Sequence, residues 1–305
     1  MKKRIDTLNK RNSITLIDDI IYSQVEDNKG NSLNLQMSML VHNVNVERKT
    51  IVTTANQIQM YPVILCIPGG GFTHCERNRI LPELQFLAEE GYIIASIDYR
   101  LSLQSKFPAQ IEDVNTAIRF LKANAKKYHI DINKIGVLGR SAGGCLSLMA
   151  GMNNKLWNKG IEWNEHSATV QAACSMYGIT DISLWMKSEI ESQYFSNAKS
   201  IIETVGGTYV GGSEKTIFDK AINASPIQYI NENMAPLLML HGDLDPIVPL
   251  NQSETFYKRI EEMKLEDKVD YYVVSKAGHG SKEFFQEEIR EIILNHFNKN
   301  LKVKE

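Results

Sequence analysis

Short, continuous runs of apolar residues recur along the chain, and Gly, Pro or Asp bounds most of them. Runs of this kind suit strands that are buried on both faces of a parallel sheet. Helical periodicity lies between them, most clearly at Ile111, Val114, Ile118 and Leu121. The six apolar runs span residues 63–67, 93–97, 135–138, 170–176, 237–240 and 269–274. This alternation predicts an α/β fold with a doubly wound, mostly parallel sheet.

Two regions depart from that alternation. Residues 15–24 and 33–42 alternate in part around a turn at 28–31, which predicts an N-terminal antiparallel hairpin and eight strands in all. The stretch 179–233 is too long for a crossover, and we interpret it as a helical cap insertion over the site; a surface excursion with its own small core is the alternative. A shorter insertion at 157–166 is expected at the rim. Because no repeat or linker interrupts the chain, we expect residues 1–305 to form a single domain.

Charge and composition limit the partners and the cellular location that we expect for this chain. The formal charge of −2 gives no reason to expect a nucleic acid or an anionic membrane as a partner. No apolar run approaches the roughly 20 residues that cross a bilayer. The basic start of the chain lacks an apolar segment after it, so we expect a cytoplasmic protein. The oligomeric state cannot be read from the sequence, and a homo-oligomer stays open.

The four cysteines are predicted to be reduced thiols. Cys66, Cys75, Cys145 and Cys174 form no C-x-x-C pair, and no Cys/His cluster has metal-ligand spacing. We therefore expect no metal and no cofactor. Cys75, after a glycine run, is placed near the site without a catalytic role.

The sequence GRSAGG at 139–144 follows the apolar run 135–138 and contains the strongest candidate for a reactive group, Ser141. Glycines on either side allow a sharp turn from a buried strand into a helix, where a side chain at Gly139 or Gly143 would collide with its neighbours. A G-x-S-x-G match alone is weak evidence. Its position between a predicted strand and a predicted helix makes it a candidate nucleophile elbow.

A serine hydroxyl needs a base to accept its proton and an acid to orient that base. In an α/β sheet with this elbow, both should follow the serine in chain order, on loops at the carboxyl ends of strands. The loop after 237–240 reads HGDLDPIVP, and the loop after 269–274 contains His279 between two glycines. Three such loops in the expected order indicate that Ser141, an aspartate and His279 act together.

Several side chains compete for the acid and base roles. We favour Asp245 as the acid because it lies further from its strand end than Asp243, which is expected to make loop hydrogen bonds. Asp181 follows the preceding strand and is better interpreted as a helix cap. His241 begins its loop and is expected to be structural.

An acyl-transfer site also needs preorganised N–H donors for the oxyanion. One is expected from Ala142, the residue after the nucleophile, and others from the loop 68–72, which reads PGGGF. The alternatives for the glycines are a flexible turn or a phosphate-binding nest. Because no Gly-Lys-Ser/Thr follows them, the oxyanion interpretation is preferred.

With these motifs, the chain resembles an α/β-hydrolase of the carboxylesterase/lipase group. It is most similar to bacterial acetylesterases and feruloyl-esterase-like enzymes of the BD-FAE type, from about residue 62 to the C-terminal helix. The resemblance also covers DYRL at 98–101, FPAQIED at 107–113 and ASP at 224–226. It implies Ser141 as nucleophile, Asp245 as acid and His279 as base. It further implies an oxyanion hole formed by the amides of Gly70, Gly71 and Ala142.

Two positions depart from the family's pattern. Many relatives have His before the glycine run, where this chain has Pro68, and Arg140 stands where an acidic or small residue is common. We interpret Arg140 as a structural arginine that pairs with a nearby carboxylate; a role in substrate preference stays open.

The expected function is hydrolysis of small carboxylic esters with short acyl groups, such as an acetylated sugar or an aryl ester. An arylformamidase or a serine peptidase with the same triad is the main alternative. A non-catalytic, ligand-binding protein on the same fold is the minor one.

Overall fold

The computed structural model describes residues 13–42, 59–157, 162–192 and 198–302. Eight strands among them form one sheet in the order β1-β2-β4-β3-β5-β6-β7-β8. Strands β3 to β8 run parallel to one another, whereas β1 and β2 form an antiparallel hairpin whose second strand pairs with β4. The predicted doubly wound, mostly parallel sheet with its N-terminal hairpin is confirmed. The strands are β1 Ile14–Glu26, β2 Ser32–His42, β3 Tyr61–Ile67, β4 Ile93–Ile97, β5 Ile130–Arg140, β6 Ala172–Met176, β7 Leu237–Gly242 and β8 Val269–Val274.

Helices cover both faces of the sheet. Alternate residues of β3 show the division, since Val63 and Leu65 belong to one buried cluster and Ile64 and Cys66 to the other. Helices α2, α4 and α8 pack on the first face, and α1 and α9 on the second. Among the described residues, no helix is both long and apolar enough to cross a bilayer. The helices are α1 Leu81–Glu89, α2 Ala109–Ala123, α3 Ala125–Tyr128, α4 Ala142–Gly151, α5 Ile182–Glu191, α6 Val205–Val210, α7 Ile217–Asn223, α8 Asn251–Glu262 and α9 Glu287–Leu301.

Strands β5 and β8 differ most from the apolar runs that predicted them. Strand β5 begins at Ile130, five residues before the predicted run, and its pairing with β3 is irregular near Tyr61. The polar residues Asp131, Asn133 and Lys134 interrupt the apolar pattern and hid this part of the strand. Strand β8 has the predicted bounds but lies at the edge of the sheet, where Tyr272 and Val273 are exposed. Its apolar run suggested a strand that is buried on both faces, and this expectation is wrong for β8.

The stretch 179–233 connects β6 to β7 and contains α5, α6 and α7 with short 3-10 turns between them. Because β6 ends at the carboxyl edge of the sheet, the segment starts beside the loops that follow the other strands. Of its aromatic residues, Trp185 and Tyr209 are buried. Tyr194 and Phe195 lie outside the described residues.

Candidate active site

Ser141 lies at the predicted turn between β5 and α4. Its backbone has φ 54° and ψ −120°, a conformation that residues other than glycine rarely adopt. A β-carbon on Gly139 would overlap the carbonyl oxygen of Gly143, and one on Gly143 would overlap that of Ile67. The Ser141 N–H donates to the carbonyl of Met176 at 3.0 Å. Close packing of three backbone segments therefore holds the strained turn in place.

The structure brings Ser141, Asp245 and His279 together from three different strand ends. Nε2 of His279 lies 2.8 Å from Oγ of Ser141, and Nδ1 lies 2.7 Å from Oδ2 of Asp245. A carboxylate can only accept, so Nδ1 carries the proton and Nε2 of a neutral ring is free to accept from the hydroxyl. The three groups thus have the order and the reach that proton transfer from a serine hydroxyl requires.

The Asp245 carboxylate is buried and held by its own loop. Its Oδ1 accepts the N–H groups of Ile247 and Val248, both at 2.9 Å, which leaves Oδ2 directed at His279. Burial acts to raise the pKa of Asp245, but the neighbouring His241 and His279 side chains and the Val248 N–H outweigh it and hold that pKa well below its ordinary value. The carboxylate is therefore ionised and fixed in orientation.

The competing aspartates occupy other positions. Oδ1 of Asp243 accepts the N–H of Lys276 at 2.6 Å and so ties the two loops together. Asp181 caps α5, with its Oδ1 accepting the N–H of Leu184 at 3.0 Å. Both make the structural hydrogen bonds that the sequence suggested.

His241 is fully buried. Its Nδ1 lies 2.6 Å from Oγ of Ser253 and its Nε2 lies 2.8 Å from the carbonyl of Val248. The carbonyl can only accept, so Nε2 carries a proton in that contact. Nε2 is also 3.6 Å from Oδ2 of Asp245, so His241 lies beside the same carboxylate oxygen that contacts His279.

The glycine loop after β3 lies against Ser141. Gly70 and Gly71 have φ values of +131° and +59°, and a β-carbon on Gly70 would overlap the carbonyl of His74. Both glycines line the same cavity as Ser141. Ala142 is the first residue of α4, where N–H groups have no partner within the helix. Within the described residues, no hydrogen bond uses the N–H of these three residues as donor.

A cavity of about 520 Å³ opens over Ser141. Its wall combines the glycine loop with charged side chains, among them Arg79, Glu83 and Arg140. Arg140 forms an ion pair with Glu83, and its Cζ lies 5.8 Å from the ring centroid of Phe285. The predicted pairing of Arg140 with a carboxylate is observed, and it takes place on the cavity wall.

Two aromatic side chains complete the surroundings of the site. The ring of Tyr177 meets the His279 ring edge to face, with centroids 4.7 Å apart, and its backbone φ is 43°. Trp185 of α5 lines the cavity, and its Nε1 donates to the carbonyl of Ile247 at 3.0 Å. Sequence reasoning did not assign a site role to Tyr177 or Glu83. The position of Tyr177 directly after β6 was a usable signal, whereas nothing local marked Glu83.

The two tryptophans of the predicted insertion 157–166 do not line this cavity, so they lend no support to the expected rim. Trp157 packs edge to face on Tyr229, with centroids 4.4 Å apart. Trp163 packs on Phe120 in the same way at 5.6 Å. Both belong to or pack against the hydrophobic core, so apolar burial accounts for them.

All four cysteines are free. Cys75 is partly exposed, and its Sγ lies 3.6 Å from the carbonyl of Ile97. Burial raises the pKa of the Cys75 thiol to about 12, which keeps it protonated and unreactive at neutral pH.

Comparison with known proteins gives this site a context. The family model described as BD-FAE matches residues 50–260. Esterase LipC of Mycobacterium tuberculosis is 32% identical over 229 residues, which are 72% of this chain and 53% of LipC. The probable carboxylic ester hydrolase LipM of the same organism is 30% identical over 205 residues, 66% of this chain and 45% of LipM. The chain spans about half the length of these curated relatives.

Solved structures agree on the architecture. A truncated carbohydrate esterase from gut microbiota superposes with a TM-score of 0.73 at 23% identity, covering 95% of this chain and 96% of that one. An esterase from Thermogutta terrifontis, Est2, gives a TM-score of 0.69 at 18% identity, covering 95% and 92%. At such identities the likeness establishes the fold, which is that of the α/β-hydrolases.

Proposed function

The chain belongs to the BD-FAE family, and from this premise we propose that it is a serine carboxylesterase that cleaves small carboxylic esters through an acyl-enzyme on Ser141. One observation carries the proposal: His279 lies within hydrogen-bond distance of both Ser141 and Asp245, at 2.8 and 2.7 Å, beside a solvent-open cavity. The names of LipC and LipM, an esterase and a probable carboxylic ester hydrolase, support the same reaction class.

In the first half of the proposed reaction, Oγ of Ser141 attacks the ester carbonyl while Nε2 of His279 takes its proton. The carbonyl oxygen becomes an oxyanion, which the N–H groups of Gly70, Gly71 and Ala142 would stabilise. The carbon–alkoxy bond then breaks, and His279 gives its proton to the departing alcohol. An acyl group remains on Ser141.

Water completes the cycle. His279 takes a proton from water as its oxygen attacks the acyl carbon, and a second oxyanion forms in the same place. When this intermediate collapses, Oγ of Ser141 leaves the carbon and receives the proton from His279. The carboxylic acid departs and the free enzyme is restored. Asp245 keeps the ring in the required tautomer and stabilises the imidazolium in both halves.

The residues that line the cavity favour a small, polar substrate. Charged groups of Arg79, Glu83 and Arg140 line it, and such groups favour a hydroxyl-rich alcohol over a long hydrocarbon chain. The carbohydrate esterase from gut microbiota that shares this fold is consistent with this choice. We propose short-acyl esters, of which acetylated sugars and aryl acetates are the first to try.

The test is hydrolysis of p-nitrophenyl acetate by the wild type and by Ser141→Ala. We expect turnover in the wild type and its loss in the variant, because no other group takes the acyl chain. Ser213→Ala, at an exposed serine, is the matched control and should keep full activity. Wild-type-like turnover by a folded Ser141→Ala protein would refute the proposal.

A panel of substrates separates the reaction classes. Aryl and sugar acetates, N-formyl aryl amines and peptidyl amides are offered to the same preparation. The proposal expects the esters to be hydrolysed with the highest kcat/KM. A higher kcat/KM on a formamide or a peptide would mean that the protein is a formamidase or a peptidase that uses the same three residues.

A further inference from the structure

Helix α5 contacts the loop that carries Asp245 directly, and it is connected to the glycine loop through α6. Near its start, Trp185 donates its indole N–H to the carbonyl of Ile247, in the loop that orients Asp245. One turn later on the same side of the helix, Glu189 accepts two N–H groups from α6. The Trp185 contact is made with the loop of Asp245. The Glu189 contact is made with α6, which packs on the glycine loop.

The Glu189 side chain is almost fully buried, with 1% of its surface exposed. Its Oε1 accepts the N–H of Val205 at 2.9 Å, and its Oε2 accepts the N–H of Gly206 at 3.0 Å. These N–H groups belong to the first turn of α6, where no intrahelical partner exists. A β-carbon on Gly206 would lie 2.5 Å from Cγ of Met186, so α5 and α6 pack closely at this point.

Helix α6 in turn packs on the glycine loop. A β-carbon placed on Gly71 would lie 3.2 Å from Cγ1 of Val205, so this valine lies directly against the glycine backbone. At the other end of the helix, the ring of Tyr209 stacks on Phe72, with centroids 3.8 Å apart and planes 8° from parallel. The two ends of α6 therefore contact two consecutive residues of the loop.

We propose that Glu189 is a positioning residue for the oxyanion site: by fixing the first turn of α6, it holds Gly71 and Phe72, and with them the glycine loop whose N–H groups the proposed mechanism uses. The inference rests on the proposed function, because it concerns how well the oxyanion is stabilised. It assigns Glu189 no contact with the substrate.

The chemistry of the position supports this role. Burying a carboxylate is unfavourable, and burial raises the pKa of Glu189 to about 7. An apolar residue of the same length would fill the space without that cost, but it could not accept two N–H groups. Donors of an oxyanion site must be fixed before the reaction, and a small displacement reduces their effect.

The experiment measures kcat and KM for p-nitrophenyl acetate at pH 8, where Glu189 is mostly ionised. Glu189→Met removes both acceptors at similar volume, and Glu189→Gln keeps one. We expect kcat to fall about 10-fold in the first variant and about 3-fold in the second, a fraction of the loss on removing a donor outright. KM should stay within about twofold of the wild type. Glu191→Met, at an exposed glutamate of the same helix, is the control and should leave both constants unchanged.

Val205→Ala tests the contact separately, with Glu189 intact. It removes Cγ1 next to Gly71 and should also lower kcat while KM stays constant. An unchanged kcat in folded Glu189→Met would overturn the proposal. If that variant does not fold, an unchanged kcat in both Glu189→Gln and Val205→Ala would overturn it. A wild type that hydrolyses no ester would instead refute the proposed function.

Discussion

The strand-end loops that carry Ser141, Asp245 and His279 differ in construction from the helical segment 179–233. Backbone hydrogen bonds, together with the Asp243 carboxylate, tie the loops to neighbouring strands and to one another: the N–H of Leu244, for example, donates to the carbonyl of Ala277 at 3.0 Å. Side chains hold the helical segment, with Glu189 of α5 bound to the first turn of α6. The sheet therefore places the three proposed catalytic groups, whereas side-chain packing sets the position of the helices around them.

This comparison predicts large, all-or-none effects in the loops and graded effects in the helices. The largest is expected for the base and the acid. His279→Ala should lower kcat by about 10⁴-fold or more, and Asp245→Asn by roughly 10³- to 10⁴-fold, because the asparagine favours the wrong tautomer. Steady-state hydrolysis of p-nitrophenyl acetate measures both.

Asp243→Asn is the matched control for the acid. Its carboxylate lies in the same loop but bonds the backbone of Lys276, so activity should stay within a few-fold of the wild type. A loss in Asp243→Asn equal to that in Asp245→Asn would show that the acid has been misassigned.

A second large effect concerns the turn itself. Gly143→Ala drives a β-carbon into the carbonyl of Ile67, a rigid backbone atom, and should lower the free energy of unfolding by about 3 kcal/mol or prevent folding. Gly151→Ala, in the same helix, meets only Cβ of Ala173 at 2.7 Å and should cost clearly less. Urea denaturation of the two variants tests the difference; equal losses would mean that the turn is not the constrained feature.

The third prediction follows from the raised pKa of Glu189. Its pKa rises from the ordinary 4.5 to about 7 in the folded protein, so the folded state binds this proton more tightly than the unfolded state. The Glu189 contribution to stability is therefore present below about pH 4.5 and is lost as the pH rises through about 7. The loss is on the order of 3 kcal/mol.

Glu189→Gln cannot ionise, so its stability relative to the wild type should rise between pH 5 and 8. Urea denaturation of both proteins across that range measures the difference and cancels the other ionisations. A constant difference would contradict the raised pKa of Glu189. It would mean that the carboxylate is ionised throughout this pH range.

The smallest effect is expected at the tryptophan of α5. Trp185→Phe removes the N–H that binds Ile247, a bond worth about 1 kcal/mol, and should lower kcat/KM about 3- to 10-fold. Trp157→Phe, in the core, should lower the thermal midpoint and leave kcat/KM unchanged. If both variants changed kcat/KM alike, the distinction between cavity wall and core would fail.

The sequence was sufficient where local rules decide the structure. The run before Ser141 and the glycines around it identify a strand, a turn and a helix, because only glycine fits positions 139 and 143. The choice of Asp245 over Asp243 also followed from distance along the loop. The structure places Asp245 beside His279, as that reasoning predicted.

Tertiary packing decided what the sequence could not show. The start of β5 mixes polar and apolar residues and pairs irregularly, so no apolar run marked it. Glu83 meets Arg140 from a distant helix, and Trp163 packs on Phe120, which no spacing rule links to it. Helices α6 and α7 are short and depend on their neighbours, so periodicity could not locate them.

Covalent labelling shows whether Ser141 is the nucleophile. The wild type is treated with a fluorophosphonate, digested, and analysed by mass spectrometry. We expect a phosphonyl adduct on the peptide that contains Ser141, no adduct there in Ser141→Ala, and labelling slowed by orders of magnitude in His279→Ala. An enzyme that hydrolyses esters yet carries its adduct on another residue, or labels equally fast without His279, would contradict this assignment.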